Sequence, residues 1–341
     1  MTAPDPAAPR IAGSALPTEL AGRYRESRAS LASGDASAGD LAEARAFVAW
    51  ADRLPQLAQE ISASWGLQLA QPYSPGGSCS WVAPGRDADG ESVVLKLAWA
   101  HDEARDEAAG LVAWQGHGAV GVRATAQHED TTALLLDRVD PGRQLFTSLP
   151  AKQQDVVVAG LLRRLWEAPA ADPGSIRPLD EMCSWWADHA AERLARDPRG
   201  LPGTTIERGL ALFRTLPRSA PRTALLATDL HPQNVLSTRE DPGTDLAHWR
   251  VIDPKPYLGD PHYDLLQHML NFPERLRADP AGFATSMADL AGLDPERTVA
   301  WLFARCVQEA GVMDGAAEVA QRLARTQQPA KANNRSDLHE T

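Results

Sequence analysis

The sequence predicts an α+β chain folded as two lobes, a small strand-rich one followed by a larger, mainly helical one. Three observations carry this. At 341 residues the chain exceeds what one hydrophobic core usually serves. Segments with strand character cluster before residue 139, whereas apolar stripes at spacings of three and four dominate afterwards. A Pro141-Gly142 pair marks the change, which puts the boundary near residues 137–142.

Residues 1–40 are rich in Ala, Ser, Pro and Gly and lack sustained periodicity, which predicts a loosely packed arm. The amino-terminal lobe is expected over 41–139. It begins with a helix whose Phe47, Trp50, Leu54, Leu57 and Ile61 share one face, ending near Gly66. Gly76-Gly77 falls in a turn between strands. Ser92–Leu97 reads as a strand with Val94 and Lys96 on one face and Val93, Leu95 and Leu97 on the other. DEARDEAAGLVAW reads as a helix burying Leu111 and Trp114, and 123–139 as two strands around a Glu129-Asp130 turn.

The carboxy-terminal lobe is expected over 140–328, with helical stripes Val157/Leu161/Leu165, Ile206/Leu210/Phe213 and Val299/Phe303/Cys306/Val307/Ala310. Two strand-like pieces interrupt it, Val235-Leu236 and Trp249–Ile252. Residues 329–341 read as a disordered tail, and no internal repeat is evident.

The formal net charge is −11. That balance opposes a nucleic-acid-binding role, which normally shows a basic patch, and is compatible with a cationic ligand or with charge used only for solubility. Three scattered cysteines, Cys79, Cys183 and Cys306, form neither a disulfide framework nor a zinc motif. The amino terminus lacks a basic-then-apolar leader, and the apolar run Val156–Leu162 is too short to span a membrane. A cytoplasmic protein without a membrane partner is expected; oligomeric state is left open.

The chemistry-bearing residues lie in LLATDLHPQNVL (225–236) and VIDPK (251–255). Together they give Asp229-x4-Asn234, a short strand, a loop, a second strand and Asp253. A tight loop brackets Asp229 and Asn234, and the hairpin brings Asp253 back to the same rim. That is the arrangement phosphoryl transfer requires: one Asp accepts the proton of an attacking hydroxyl, while an Asn and a second Asp hold Mg²⁺ on the phosphates. Asx residues at strand ends also cap turns, but the ordered pair of motifs favours chemistry. Lys96 would direct its ammonium to the phosphates and pair with a glutamate on the next helix, Glu107 being preferred over Glu103 because its E-x-x-x-L step places Leu111 toward the core.

These motifs resemble the aminoglycoside phosphotransferase family, specifically its streptomycin 6-phosphotransferase and hydroxyurea phosphotransferase branch, over residues 45–315. The resemblance rests on Val94-Leu95-Lys96, on Glu107 followed by WQGHGAV, on LLLDRVDPG, and most strongly on DLHPQN and IDPKPYLGDPHYDLLQHMLN. It implies a two-lobed, protein-kinase-like fold using ATP or another nucleoside triphosphate with Mg²⁺. Asp229 would be the catalytic base, Lys96 (with Glu107) the phosphate anchor, and Asn234 and Asp253 the metal ligands. Leu136 to Val139 would form the adenine-contacting hinge.

Two departures stand out. Ala227-Thr228-Asp229 replaces the His-Gly-Asp of many relatives. Ser74-Pro75-Gly76-Gly77-Ser78 is no G-x-G-x-x-G, although Gly76, Gly77 and Ser78 would let backbone amides approach a phosphate. Pro254 after Asp253 implies a fixed metal loop. Asp260 could be structural or could face the acceptor, with structure favoured. Asp264 is expected to support the same region. His231 and His268 are expected to make packing or hydrogen-bond contacts.

The acceptor would be a small hydroxyl compound, possibly cationic: residues 253–300 carry eight acidic and four basic side chains, which suits a streptomycin-like aminoglycoside. A kinase of another hydroxyl metabolite such as a sugar or amino alcohol, and a silent nucleotide-binding protein, stay open as alternatives.

Overall fold

The computed structural model describes residues 8–11, 13–100, 105–168 and 176–326. It has the two-lobed α+β architecture of the protein-kinase-like fold, strand-rich first and helical afterwards. The chain packs as two compact units, Met1–Arg177 with Ala224–Leu258, and Pro178–Thr223 with Gly259–Thr341. The unit boundaries therefore differ from the lobe boundary read at 137–142. The hairpin carrying Asn234 and Asp253 belongs to the first unit, where Val251 pairs with segment 118–120 (Val120 N to Val251 O, 2.9 Å).

In the first unit a short hairpin, β1 (Arg10–Ile11) and β2 (Ser14–Ala15), leads into α1 (Thr18–Ser33) and α2 (Ala38–Ser64). The strands β3 (Gln68–Leu69), β4 (Ser80–Arg86), β5 (Ser92–Trp99), β6 (Val122–His128) and β7 (Thr131–Asp137) form one sheet of order β3-β4-β5-β7-β6. All its neighbouring pairs are antiparallel. The helix α3 (Glu107–Ala113) lies between β5 and β6.

Alternation along β5 decides what each face does. Val93, Leu95 and Leu97 are fully buried, and Leu95 and Leu97 join Trp81, Ala83, Trp99 and Ala133 in a core with α1 and α2. Lys96 takes the other face. Trp50 ties α2 to the sheet, its Nε1 donating to Thr131 Oγ1 at 3.0 Å. Helix α2 runs through Pro55, because Leu54, Ala58 and Ile61 on either side are buried. It ends where Gly66 turns left-handed (φ 64°).

The expected loose arm over 1–40 is corrected. Residues 1–7 and 12 lie outside the described residues, but Thr18–Ser33 is a 16-residue helix. Its Leu20 and Tyr24, with Leu16 before it, are buried in the core, and the Tyr24 hydroxyl donates to Asp52 at 2.7 Å. Burying each such side chain stabilises by about 1.5–3 kcal/mol, enough to fix a segment whose composition alone reads as coil. The helix expected over DEARDEAAGLVAW begins only at Glu107. Asp106, just before it, is committed to Arg177, whose Nε donates at 2.7 Å.

After the sheet come α4 (Leu145–Ser148) and α5 (Ala151–Leu165), then four short strands, β8 (Ala224–Leu226), β9 (Val235–Ser237), β10 (Trp249–Val251) and β11 (Tyr257–Gly259), with β9 and β10 an antiparallel hairpin.

The second unit is helical: α6 (Leu179–Arg196), α7 (Gly203–Thr215), α8 (Pro261–Asp264), α9 (Leu266–Leu270), α10 (Pro273–Ala278), α11 (Pro280–Ala291), α12 (Pro295–Gln308) and α13 (Ala316–Thr326). Phe213, Tyr263 and Trp301 form an aromatic centre with ring centroids 5.2–6.3 Å apart. Cys183 and Cys306 are fully buried there, Cys306 in the role expected of a small core residue. Among the described residues no helix is long and apolar enough to cross a membrane. The tail read at 329–341 lies outside the described residues.

Candidate active site

Six polar side chains of the first unit converge by backbone construction. β5, hydrogen-bonded on both sides, presents Lys96, which is 6% exposed. Glu107 opens α3, where the helix field favours a carboxylate. Lys96 Nζ donates to Glu107 Oε1 and Oε2 at 2.6 and 2.8 Å and to Asp253 Oδ1 at 2.5 Å. Glu103, the other glutamate considered for Lys96, lies outside the described residues.

One ammonium thus serves two carboxylates. Burial alone would push the Lys96 pKa down, but Asp253 and Glu107 outweigh it and hold it above the usual lysine value. The Asp253 carboxyl is held below its usual range by the Lys96 charge, against the opposing effect of burial. Glu107 receives only part of the compensation: burial pushes it up to about 7 despite Lys96, and the Asp253 charge adds to the rise.

The catalytic-loop segment follows β8. Thr228 and Asp253 both adopt left-handed backbone (φ 49° and 52°) without being glycine, a conformation that a chain keeps only where surrounding contacts over-determine it. Those contacts are visible: Thr228 Oγ1 donates to the Lys255 carbonyl, and Lys255 N donates to the Ala227 carbonyl at 2.8 Å. Asp229 follows, its Oδ2 3.2 Å from Lys255 Nζ. Asn234 Nδ2 donates to the Asp229 carbonyl at 3.3 Å. Pairing of Val235 with Val251, continued by Ile252 N to Asn234 O at 2.9 Å, sets Asn234 and Asp253 at the same end of the β9–β10 hairpin. His231 Nδ1 lies 2.7 Å from Gln233 Oε1, a local contact as expected.

The remaining predicted residues sit at the sheet's margins. Gly76, Gly77 and Ser78 form the turn between β3 and β4, with Gly76 left-handed (φ 72°). Leu136 is buried within β7, paired with Val94. Val139 follows in the segment leading to Gly142, which is left-handed and whose Cβ would lie 2.6 Å from the Val139 carbonyl.

Lys255 has no role that the sequence motif alone assigns. Its partnership with Asp229 depends on how the loop returns, and the only sequence signal was a lysine two residues past Asp253. Asp260 and Asp264, by contrast, are fully buried in the second unit. Asp260 accepts from His262 Nδ1 at 2.6 Å, Arg297 Nε at 2.7 Å and Trp301 Nε1 at 2.7 Å, which makes it a structural node. His268 is buried against Phe272 and Phe283.

A lysine–glutamate pair on a five-stranded antiparallel sheet, with an Asp-x4-Asn loop and a hairpin Asp beside it, defines a kinase-like phosphotransferase. Residues 66–316 match the family described as aminoglycoside/hydroxyurea antibiotic resistance kinase. The chain is 35% identical to a hydroxyurea phosphotransferase of Kitasatospora aureofaciens over 273 residues, covering 78% of this chain and 74% of that protein. It is 31% identical to a streptomycin 6-kinase of Streptomyces glaucescens over 292 residues, covering 80% and 89%, and 32% identical to one of Streptomyces griseus over 269 residues, covering 76% and 83%. The chain belongs to the aminoglycoside/hydroxyurea phosphotransferase family. It is accordingly a phosphotransferase that acts on a small hydroxyl-bearing acceptor, and its family implies a nucleoside triphosphate and a divalent cation.

Proposed function

We propose that this chain transfers the γ-phosphoryl group of ATP to a hydroxyl of a streptomycin-like aminoglycoside, with Asp229 as proton acceptor. The observation that carries the chemistry is the Lys96–Glu107–Asp253 network beside the Asp229–Asn234 loop. Lys96, oriented by Glu107, would hold phosphate oxygens. Asp229 would take the hydroxyl proton as the oxygen attacks, its carboxylate fixed through Oδ2 by Lys255. Gly76, Gly77 and Ser78 would cover the phosphates, and Leu136 and Val139 would flank the base.

The donor set suits magnesium: Asp253 supplies a carboxylate whose side chain is 54% exposed despite its bond to Lys96, and Asn234 supplies an amide oxygen. Two hard oxygen donors, completed by phosphates and water, are what this ion takes. When bound it would neutralise phosphate charge.

For the acceptor, two of the three curated relatives named above are streptomycin 6-kinases, and the net charge of −4 over 253–300 favours a polycation. The 35% identity to a hydroxyurea phosphotransferase supports a second reading, in which a small neutral hydroxyl compound is the acceptor.

Steady-state transfer from ATP to streptomycin, hydroxyurea and a neutral sugar separates these readings. Asp229→Asn should then lower turnover roughly 10²–10⁴-fold, about 2.7–5.4 kcal/mol, while direct titration shows nucleotide affinity nearly retained. Near-parental turnover in Asp229→Asn would remove its assignment as proton acceptor.

A further inference from the structure

The turn between β3 and β4 is held from outside. Pairing of these strands runs on through Ala70 N to Pro84 O and Tyr73 N to Val82 O, at 2.8 and 2.9 Å, so residues 74–79 form the tip. Two adjacent glycines give that tip little stiffness of its own. The contacts that fix it come from the segment entering α1. Glu19 N, one of the amides at a helix start that lack an intrahelical acceptor, donates to the Pro75 carbonyl at 3.0 Å. Thr18 Oγ1 and Ser74 Oγ share a hydrogen bond at 3.3 Å. Pro17 lies so close to Gly76 that a Cβ there would be 2.8 Å from the proline Cβ.

At the far side of the turn the Arg23 guanidinium donates to the Cys79 sulfur. Arg23 is itself pre-set, bonded to Glu43 at 2.8 Å and seated over the rings of Phe47 and Trp99, 4.4 and 5.0 Å from their centroids. Cys79 is anchored in turn by its carbonyl, which accepts from Trp99 N at 2.9 Å, at the end of the strand that carries Lys96. Apart from Trp99, the bracing residues precede residue 66, where the match to the family begins.

We propose that α1 and its entry segment are a positioning element for the nucleotide, with Pro17, Thr18 and Arg23 holding turn 74–79 in the shape that covers the phosphates. The proposal rests on the reading of that turn as the phosphate cover. A free glycine turn would lose its backbone entropy when the nucleotide binds; the brace moves that loss into folding, so the nucleotide meets a preorganised turn. Affinity for the triphosphate is therefore set partly by residues outside the family-matching region.

The test is the double variant Thr18→Ala/Arg23→Met in the full chain, read by ATP titration, by steady-state kinetics and by amide exchange of residues 73–80 in nucleotide-free protein. Expected are a nucleotide Kd and KM raised roughly tenfold, equivalent to about 1.4 kcal/mol, faster exchange in the turn, and unchanged kcat at saturating ATP. Arg23→Lys, which keeps a cation beside Cys79, should recover part of the affinity. Tyr24→Phe is the control, since it loses the bond to Asp52 on α2 without touching the turn. Unchanged affinity in the double variant, or an equal loss in Tyr24→Phe, would overturn the proposal. If the parent itself bound no nucleotide, the function reading would be the one to fail, and exchange in the turn would still decide whether α1 holds it; unaltered exchange in the double variant would overturn that too.

Discussion

Two aspartates only seven positions apart, Asp253 and Asp260, show opposite ways of holding a charge. Asp260, in the second unit, is fully enclosed, and burial alone would push its pKa up. Hydrogen bonds from His262, Trp301 and Arg297 outweigh that and hold it below the usual carboxylate range. Arg297 is further held by the Leu216 carbonyl at 2.6 Å, so the network is saturated. Asp253 shares the Lys96 ammonium with Glu107, feels the Lys255 charge as well, sits in left-handed backbone and keeps a half-exposed side chain. Its carboxylate is thus open on one side, where a divalent cation could be held. A saturated charge network rigidifies; an open one is where ligand chemistry is to be expected.

The largest effect that would sharpen this contrast is expected from Asp260→Asn. Removing one member of a buried, hydrogen-bonded charge network typically costs about 3–5 kcal/mol, so urea unfolding should move by that amount while turnover per folded molecule stays parental. The pH dependence follows from the depressed pKa: the Asp260 contribution is present above the unfolded value of about 3.9 and is lost as pH falls through the lower folded value. The stability gap between parent and variant should therefore shrink below about pH 4. A gap of constant size down to full protonation would break the comparison.

Glu107→Gln should have a smaller effect on stability, with the opposite sign in pH. A carboxyl raised to about 7 by burial binds its proton more tightly folded than unfolded, so the parent should lose stability as pH rises from about 4.3 to 7. Melting curves at pH 5 and 8 should show this slope in the parent and not in Glu107→Gln, whose turnover should also fall because Lys96 loses its brace. A flat parent would mean that Lys96 fully compensates Glu107, and a parental slope kept in the variant would place the slope in another group.

The smallest effect expected concerns the thiols. Burial pushes Cys306 up to about 12 and raises Cys183 as well, whereas Cys79 lies in the partly exposed turn. A thiol-specific reagent at neutral pH should label one cysteine in the native chain and three in urea. Native labelling at Cys183 or Cys306 would show that the second unit opens more readily than its packing implies.

Much of this was legible in the sequence, for reasons visible in particular residues. The β5 alternation and the DLHPQN/IDP pair are local signals, and local geometry dictates their outcome. The first helix was missed because its few apolar anchors, Leu16, Leu20 and Tyr24, are diluted among Ala, Ser and Gly, although their spacing of four is the helical one. The late start of α3 and the Lys255–Asp229 contact were not readable, since each depends on a residue brought back from far along the chain, Arg177 in one case and the loop after β10 in the other.

The contact between Gly110 and Pro256 bears on regulation. A Cβ at position 110 would lie 2.2 Å from the Pro256 ring, so the helix bearing Glu107 rests directly on the segment that follows Asp253, backbone against ring with no side chain between them. Signalling kinases are silenced by swinging the corresponding helix away and parting the lysine–glutamate pair. Here the pair is closed, and the surface on which such a swing would have to begin is flush. A swing of this helix would therefore have to lift Gly110 off the Pro256 ring as well as part Lys96 from Glu107.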